Sequence, residues 1–403
     1  MAHTDQIAML EIFFTFLKLG LTSFGGPVAH LGFFRQEFVQ KRQWLSDESY
    51  ADLVALCQFL PGPASSQVGI ALGYFRHGVW GALLAWAGFT LPSALVLILA
   101  ALGIQHDSAN IPDAVLLAVK AVALVVVAQA LLAMAKTLCQ DRPRRLIALA
   151  AALLAWWVPA LLGQLLAMGL AGFLGYAVLK PSAHPITSTG LRVPSHRSGL
   201  IWLVSLGLLL AVLPAWAHWS GAFWLTEVNL FFRTGCLVFG GGHVVLPLLQ
   251  TAVVSPGLVS NEVFLTGYGL AQAVPGPLFT FAAFLGASMN QFPSGWLGGL
   301  IGLVAIFAPS LFLVMGALPF WEALRRQLVC QTVLAGINAG VVGLLASVLL
   351  TQTQTALSSH WEMLPWLGLM ALWLLKFKWP AWSGVLIAVV GGVLVAGASK
   401  VLT

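Results

Sequence analysis

Charge is what this chain most lacks. Charged residues make up 8% of its 403 positions, against 59% hydrophobic, where a soluble domain carries about 25%. So few charges cannot solvate a water-facing surface of this size, which excludes an ordinary soluble globule and makes lipid the main solvent. Acidic residues are the scarcer sign, at 13, and they mostly flank apolar runs instead of pairing within them. Cysteine is scarce too. Cys57, Cys139, Cys236 and Cys330 stand alone, without metal-ligand or redox spacing. No HExxH or GxSxG motif is present, and the basic residues are scattered over short loops instead of gathered on one element. Enzymatic activity, a metal, a cofactor and a nucleic-acid partner are therefore not expected. The opening MAHTDQIAMLEIFF lacks a basic n-region and a small-residue cleavage site, so it reads as part of the chain and not as a cleaved signal.

What is abundant fits a bilayer. Trp, at 16 residues, suits membrane interfaces, and Gly, at 41, suits packed membrane helices. The chain also repeats itself. Lys18-Leu19-Gly20-Leu21-Thr22-Ser23-Phe24-Gly25-Gly26-Pro27 answers Arg233-Thr234-Gly235-Cys236-Leu237-Val238-Phe239-Gly240-Gly241-Gly242. Gln58-Phe59-Leu60-Pro61-Gly62-Pro63 answers Gln272-Ala273-Val274-Pro275-Gly276-Pro277, and Leu91-Pro92-Ser93 answers Ala308-Pro309-Ser310. Order and spacing hold through each copy, which divides the chain into a first repeat (1–180), a linker (181–222) and a second repeat (223–403).

Apolar runs near 78–104, 113–135, 146–160, 161–179, 200–218, 296–318, 328–350, 362–375 and 380–399 read as spans, a bilayer needing about 20 residues. The motif regions, 8–40, 50–75, 226–250 and 262–290, are apolar but broken by Gly or Pro. If these four re-enter as hairpins, the basic loops at 35–48, 76, 136–145, 180–197, 325–326 and 376–378 share one side, with Lys400 alone opposite. If they span, the chain crosses thirteen times and loop 35–48 changes side. Both readings make the basic side cytoplasmic, with the N-terminus inside and the C-terminus in the periplasm. The odd linker span inverts the second copy. The expected fold is an all-α polytopic membrane protein of two inverted structural repeats with Gly/Pro-broken helices, an architecture that binds its cargo where the repeats meet.

The breaks carry the chemistry. Gly and Pro within a membrane helix free N–H and C=O groups that are tolerated only against protein or a wet cavity. Gly25, Gly26 and Pro27, Pro61, Gly62 and Pro63, and their partners Gly240, Gly241, Gly242 and Pro275, Gly276, Pro277 read as turns that start new helices. A helix N-terminus offers free N–H donors and about +0.5 charge, so four converging ends would offer on the order of +2, enough for a dianion. Ser65, Ser66 and Thr280, with the amides of Gln58 and Gln272, would complete the shell. Lys18, Lys120 and Arg233 lie inside apolar segments, where charge is functional by default, unless they snorkel to an interface. Asn338 is the repeat mate of Lys120, and His243 either faces the site or caps a helix. The plainer alternative for every break is a kink or a small-residue packing face.

With these motifs in view, the chain resembles the chromate ion transporter family in its long two-domain form: FGGP and FGGG, QFLPGP and QAVPGP, LGYFRHG and LGASMN, and the paired Pro-Ser. The resemblance implies thirteen spans in antiparallel halves. It also implies chromate efflux across the bacterial inner membrane, chromate resistance, and sulfate as a competing oxyanion. The second copy departs at Gly242, against Pro27, and at Leu278-Phe279, against Ala64-Ser65, so the half-sites are expected to be unequal. The alternative is a proton- or sodium-coupled sulfate importer. The sequence leaves oligomeric state open, a homodimer included.

Overall fold

The computed structural model describes residues 2–24, 26–107, 112–158, 160–180, 194–238, 245–359, 361–377 and 379–402. Every regular element among them is helical, as apolar runs in lipid require, since a helix satisfies its own backbone.

Three of the four broken segments fold back on themselves among the described residues. Helix α1 (Ala2–Thr22) ends at Ser23, and the chain returns through α2 (Gly26–Phe34) and a π-helical stretch, Arg35–Lys41. Contacts at growing distance from the turn show antiparallel arms. His30 Nε2 lies 3.1 Å from Ser23 O, Phe16 stacks on Phe38 at 4.9 Å, and Arg42 pairs with Glu11. Helix α3 (Asp47–Phe59) starts under a Ser46 cap, whose Oγ accepts from Ser49 N–H. After Pro61-Gly62-Pro63 comes α4 (Ala64–Asp107), which breaks at His77 and Gly78. The first leg of α4 returns to where α3 began. Arg76 lies over the Trp44 ring at 4.8 Å, and Arg42 lies on the same ring at 5.8 Å. Loop 42–46 and turn 76–78 are therefore neighbours.

The second leg of α4 is about 44 Å long at 1.5 Å per residue, more than the roughly 30 Å hydrocarbon core. Helices α5 (Asp113–Leu138), α6 (Arg142–Trp157), α7 (Ala160–Val178) and α8 (His196–Ser220) follow. Then the pattern recurs: α9 (Phe223–Leu237), α10 (Val245–Val253), α11 (Asn261–Ala273), a 3-10 turn Leu278–Thr280 leading into α12 (Phe281–Ala287), and α13 (Gly295–Ala317). The chain closes with short α14 (Trp321–Arg326), α15 (Leu328–Ser359), α16 (Leu364–Ala371) and α17 (Ala381–Leu402). Helices α11 and α12 form another hairpin. Phe264 and Tyr268 meet Phe281 at 5.2 and 5.8 Å, and beyond them Asn290 N–H donates to Leu258 O at 3.1 Å. This hairpin opens at the far end of α4, where Gln105 Nε2 donates to Ala287 O at 3.2 Å. The α3–α4 and α11–α12 hairpins thus enter the molecule from opposite ends of one long helix.

Equivalent contacts recur in the two halves. A Cβ on Gly73 would collide with Gly81 O, and one on Gly286 with Gly298 O. Gly20 lies against the α4 backbone at Phe89, as Gly235 lies against α13 at Ile306. Helix α5 packs on α16 and α17, while α15 packs on α6 and α7. Close backbone approach through small residues is how helices associate where lipid removes the hydrophobic drive. The nine apolar runs read as spans fall on the second leg of α4, α5–α8, α13, α15, α16 with its π-helical extension Leu372–Lys376, and α17, α15 running on to Ser359 beyond the expected end near 350. Among the described residues, five helices are long and apolar enough to cross a bilayer. Bulky apolar residues of α8 such as Ile201 and Leu208 face outward, and Trp157 and Trp219 stand exposed at helix ends, as interfacial Trp do. The chain is an all-α, multi-pass membrane protein.

Candidate functional site

The turns of these hairpins meet. Gly62 N–H donates to Val238 O at 2.6 Å, and Gly276 N–H donates to Ser23 O at 3.1 Å. Ser23 and Val238 are equivalent positions of the two glycine motifs, and Gly62 and Gly276 of the two Pro-Gly-Pro turns. Each Pro-Gly-Pro turn is thus tied to the glycine break of the other half. The Pro-Ser landmarks join in the same crossed fashion. A Cβ on Gly62 would lie 2.9 Å from Ser310 Oγ, and one on Gly276 2.8 Å from Ser93 Oγ. Both glycines have positive φ, +119° and +107°, which L-residues adopt only with strain. Gly26, at φ +76°, has no atom of the described residues within 4 Å of its missing Cβ.

Free donors and acceptors line the junction. The first backbone bond of α4 runs from Gln67 N–H to Pro63 O at 2.9 Å, which leaves the N–H groups of Ala64, Ser65 and Ser66 ahead of it unpaired within the helix. The hydroxyls of Ser23, Ser66, Thr90 and Ser310 are buried and unpartnered among the described residues. Unpartnered buried hydroxyls are rare in native interiors and mark either bound water or a ligand. Gln67 Nε2 donates to Pro61 O at 2.6 Å, which braces the turn. Fully buried His30 sets Nε2 3.1 Å from Ser23 O and Nδ1 3.3 Å from Ser65 Oγ. A continuous chain therefore links the start of α4, through Ser65, His30 and Ser23 O, to Gly276.

The other residues singled out by sequence fall in several places. Ser65, Ser66, Gly26, Pro27, Pro61, Gly62, Pro63, Pro275, Gly276 and Pro277 belong to the junction. Gly25, Gly240, Gly241, Gly242 and His243 lie outside the described residues. Thr280 is buried, but its hydroxyl already donates to Pro277 O at 2.7 Å. The second Pro-Gly-Pro turn opens onto a 3-10 turn and a seven-residue helix, whereas the first opens the long α4, so the two turns start unlike helices. Lys120 is buried and paired with Glu262 at 2.8 Å. Glu262 is in the first turn of α11, about 17 Å along that helix from the Pro-Gly-Pro break, so Lys120 reaches toward the rim and not the junction. Arg233 is exposed on α9, as Lys18 is on α1. Gln58 is exposed, whereas Gln272 is half-buried beside Tyr268. Asn338 is half-buried on α15, a helix that packs on α6 and α7.

Sequence reasoning passed over His30, Ser23, Gln67 and Thr90, and used Ser93 and Ser310 only as landmarks. The signal for Ser93 and Ser310 was their recurrence at matched positions. His30 had none, because its repeat mate is Val245.

A family model described as Chromate transporter matches residues 10–176 and 225–396. The chain is 29% identical over 360 residues to the chromate transport protein of Pseudomonas aeruginosa, covering 85% of this chain and 81% of that one. It is 29% identical over 406 residues to a probable chromate transport protein of Synechococcus elongatus, covering 94% and 93%. An uncharacterized transporter of Methanocaldococcus jannaschii is 26% identical over 356 residues, covering 86% and 85%. No solved structure matches.

Proposed function

The chain belongs to the chromate transporter family, and on that premise we propose that it carries chromate out of the cell across the inner membrane and so confers chromate resistance. The observation that carries the site is the crossed pair of Gly–carbonyl hydrogen bonds, which draws the breaks to one place among unpartnered hydroxyls. A tetrahedral dianion there meets the α4 N-terminus, its N–H groups at Ala64, Ser65 and Ser66, and the hydroxyls of Ser66 and Ser310. Helix ends hold anions in this way without a cage of arginines, and a neutral site releases its guest more readily than a cationic one. Sulfate has the same shape and charge and competes.

In this reading, residues 1–180 and 223–403 are inverted repeats joined by 181–222, and the motif regions are re-entrant. Two observations support re-entry. Loops 42–46 and 76–78 share the Trp44 ring, whereas spanning segments would separate them. From Glu11 to Thr22, α1 runs about 18 Å, which takes the turn to roughly the middle of a 30 Å core. The N-terminus is then cytoplasmic and the C-terminus periplasmic.

Potential alone suffices for export. Two negative charges leaving a cell at about 100 mV, inside negative, release roughly 4.6 kcal/mol, equivalent to more than a thousandfold gradient at about 1.4 kcal/mol per tenfold. Everted vesicles given an interior-positive potential and no proton gradient should accumulate chromate. In the same vesicles Ser66→Ala and Ser310→Ala should each raise KM about fivefold or more, as loss of a hydrogen bond to a charged ligand does. Uptake only under an imposed proton or sodium gradient, in vesicles of the opposite orientation, would favour the importer and overturn export.

A further inference from the structure

We propose that His30 is the proton-binding residue of the anion site, and that its protonation turns the Ser65 hydroxyl from a donor to the ring into a donor to the bound oxyanion. The inference rests on the anion site proposed above and adds the identity of a linked ion.

The argument begins with the two ring nitrogens. Ser23 O can only accept, so His30 Nε2, 3.1 Å away, carries a hydrogen. In the neutral ring Nδ1 is then an acceptor, and Ser65 Oγ, 3.3 Å away, donates to it. The Ser65 hydrogen is then consumed, and the hydroxyl has only lone pairs left to offer an anion. Adding a proton at Nδ1 reverses this bond. Nδ1–H donates to Ser65 Oγ, and the hydroxyl hydrogen swings free to donate to the guest. The imidazolium also supplies a charge one hydroxyl away from the site.

A structural role alone does not explain the pair. The second half builds the same crossed turn with Val245 in place of His30 and Phe279 in place of Ser65, both fully buried. The Gly62–Val238 bond therefore forms without a His–Ser contact beside it, and the polar pair belongs to one half-site only.

Other ionisable groups near α2 are engaged or titrate elsewhere. Glu11 pairs with Arg42, Glu37 with Lys41 and Arg42, Arg35 with Asp47, and Arg76 lies on Trp44. Lys18 is exposed, and His77 and Asp52 lie farther along α4 and α3, His77 at the break between the legs of α4. Tyr50 donates to Leu31 O and Cys57 is buried on α3; phenols and thiols ordinarily titrate well above neutral. Fully buried His30 is thus the imidazole in contact with Ser65 and Ser23, the side-chain type that ordinarily changes charge between about pH 5 and 8. A buried imidazolium is costly without a counter-charge, and the dianion provides one. Binding of the anion and binding of the proton therefore favour each other.

The test is equilibrium binding of radiolabelled chromate to the purified full-length protein at about pH 8 and about pH 6. Chromate itself titrates, so the readout is the ratio of variant to wild-type Kd, in which the ligand's own protonation cancels. For His30→Gln, whose amide imitates only the neutral ring, the ratio should grow about tenfold from the higher to the lower pH, the worth of one charge-assisted hydrogen bond. Ser65→Ala keeps the ring but removes the relay and should behave alike, which covers a misfolded His30→Gln. A ratio independent of pH in both variants overturns the proposal. Ser66→Ala, measured alongside, separates the two readings. If it weakens binding while both ratios stay flat, only the proton link fails; if it binds as wild type does, the anion site itself is misplaced.

Discussion

Replacing Gly62 by alanine puts a methyl group into the tightest point of the junction. At φ +119° an L-residue is strained by about 1–3 kcal/mol. The new Cβ would stand 2.6 Å from Gln67 Nε2 and 2.9 Å from Ser310 Oγ, closer than real Cβ atoms come, so Gln67 must leave Pro61 O. Losing that bond and stranding the carbonyl adds about 1–3 kcal/mol. Together roughly 3 kcal/mol opposes the intact turn, more than a hundredfold in its population at 1.4 kcal/mol per tenfold. Gly26→Ala is the control. Its φ of +76° carries strain of about 1–2 kcal/mol, but no atom lies within 4 Å to clash. Potential-driven chromate uptake into everted vesicles, at matched amounts of inserted protein, should fall by about two decades in Gly62→Ala and distinctly less in Gly26→Ala. Equal losses, or full uptake by Gly62→Ala, would refute the idea that crowding at this turn sets the site.

Two further outcomes are expected. Glu262→Gln strands the buried Lys120 ammonium, whereas Lys120→Met removes the need for a partner. Thermal unfolding should therefore rank Glu262→Gln below Lys120→Met, by about 1–3 kcal/mol, and the reverse order would show that the pair does not hold α5 to α11. In a cysteine-free background, a membrane-impermeant maleimide should label Glu48→Cys from the cytoplasm and Ser255→Cys from the periplasm; labelling of both from one face contradicts the opposed hairpins.

Much of the fold was readable because lipid simplifies the code. Long apolar runs could be only helices. The breaks at Pro61-Gly62-Pro63 and Pro275-Gly276-Pro277 were readable because both halves carry them. Their pairing was not. Nothing local to Gly62 says that its N–H seeks Val238 O, a contact 176 positions away, so crossing had to be seen in three dimensions. Charge misled for a related reason. Lys120 and Arg233 look intramembrane by position alone, yet a lysine stem of four carbons reaches a rim partner, and whether it does depends on where α11 starts. His30 was hidden because repetition was the main guide, and this histidine breaks the repetition.

The packing of α5 and α15 also limits how such a site can open to alternate sides. If each repeat rocked as a body, as sequence symmetry suggests, α5 would move with α6 and α7. Instead α5 is seated on α16, α17 and α11, and α15 is seated on α6 and α7. Tight helix contacts through small residues favour rigid union: Gly175 and Gly336 leave no room for a Cβ between α7 and α15, and Gly392 presses on the backbone of α5 at Val115. Close packing therefore joins helices of both halves, α5 meeting α15 as well, and α4 and α13 pack against each other. For a site that opens to one face at a time, as the proposed export requires, the Gly62–Val238 and Gly276–Ser23 bonds, built alike but lined differently, are the two places where the turns can part.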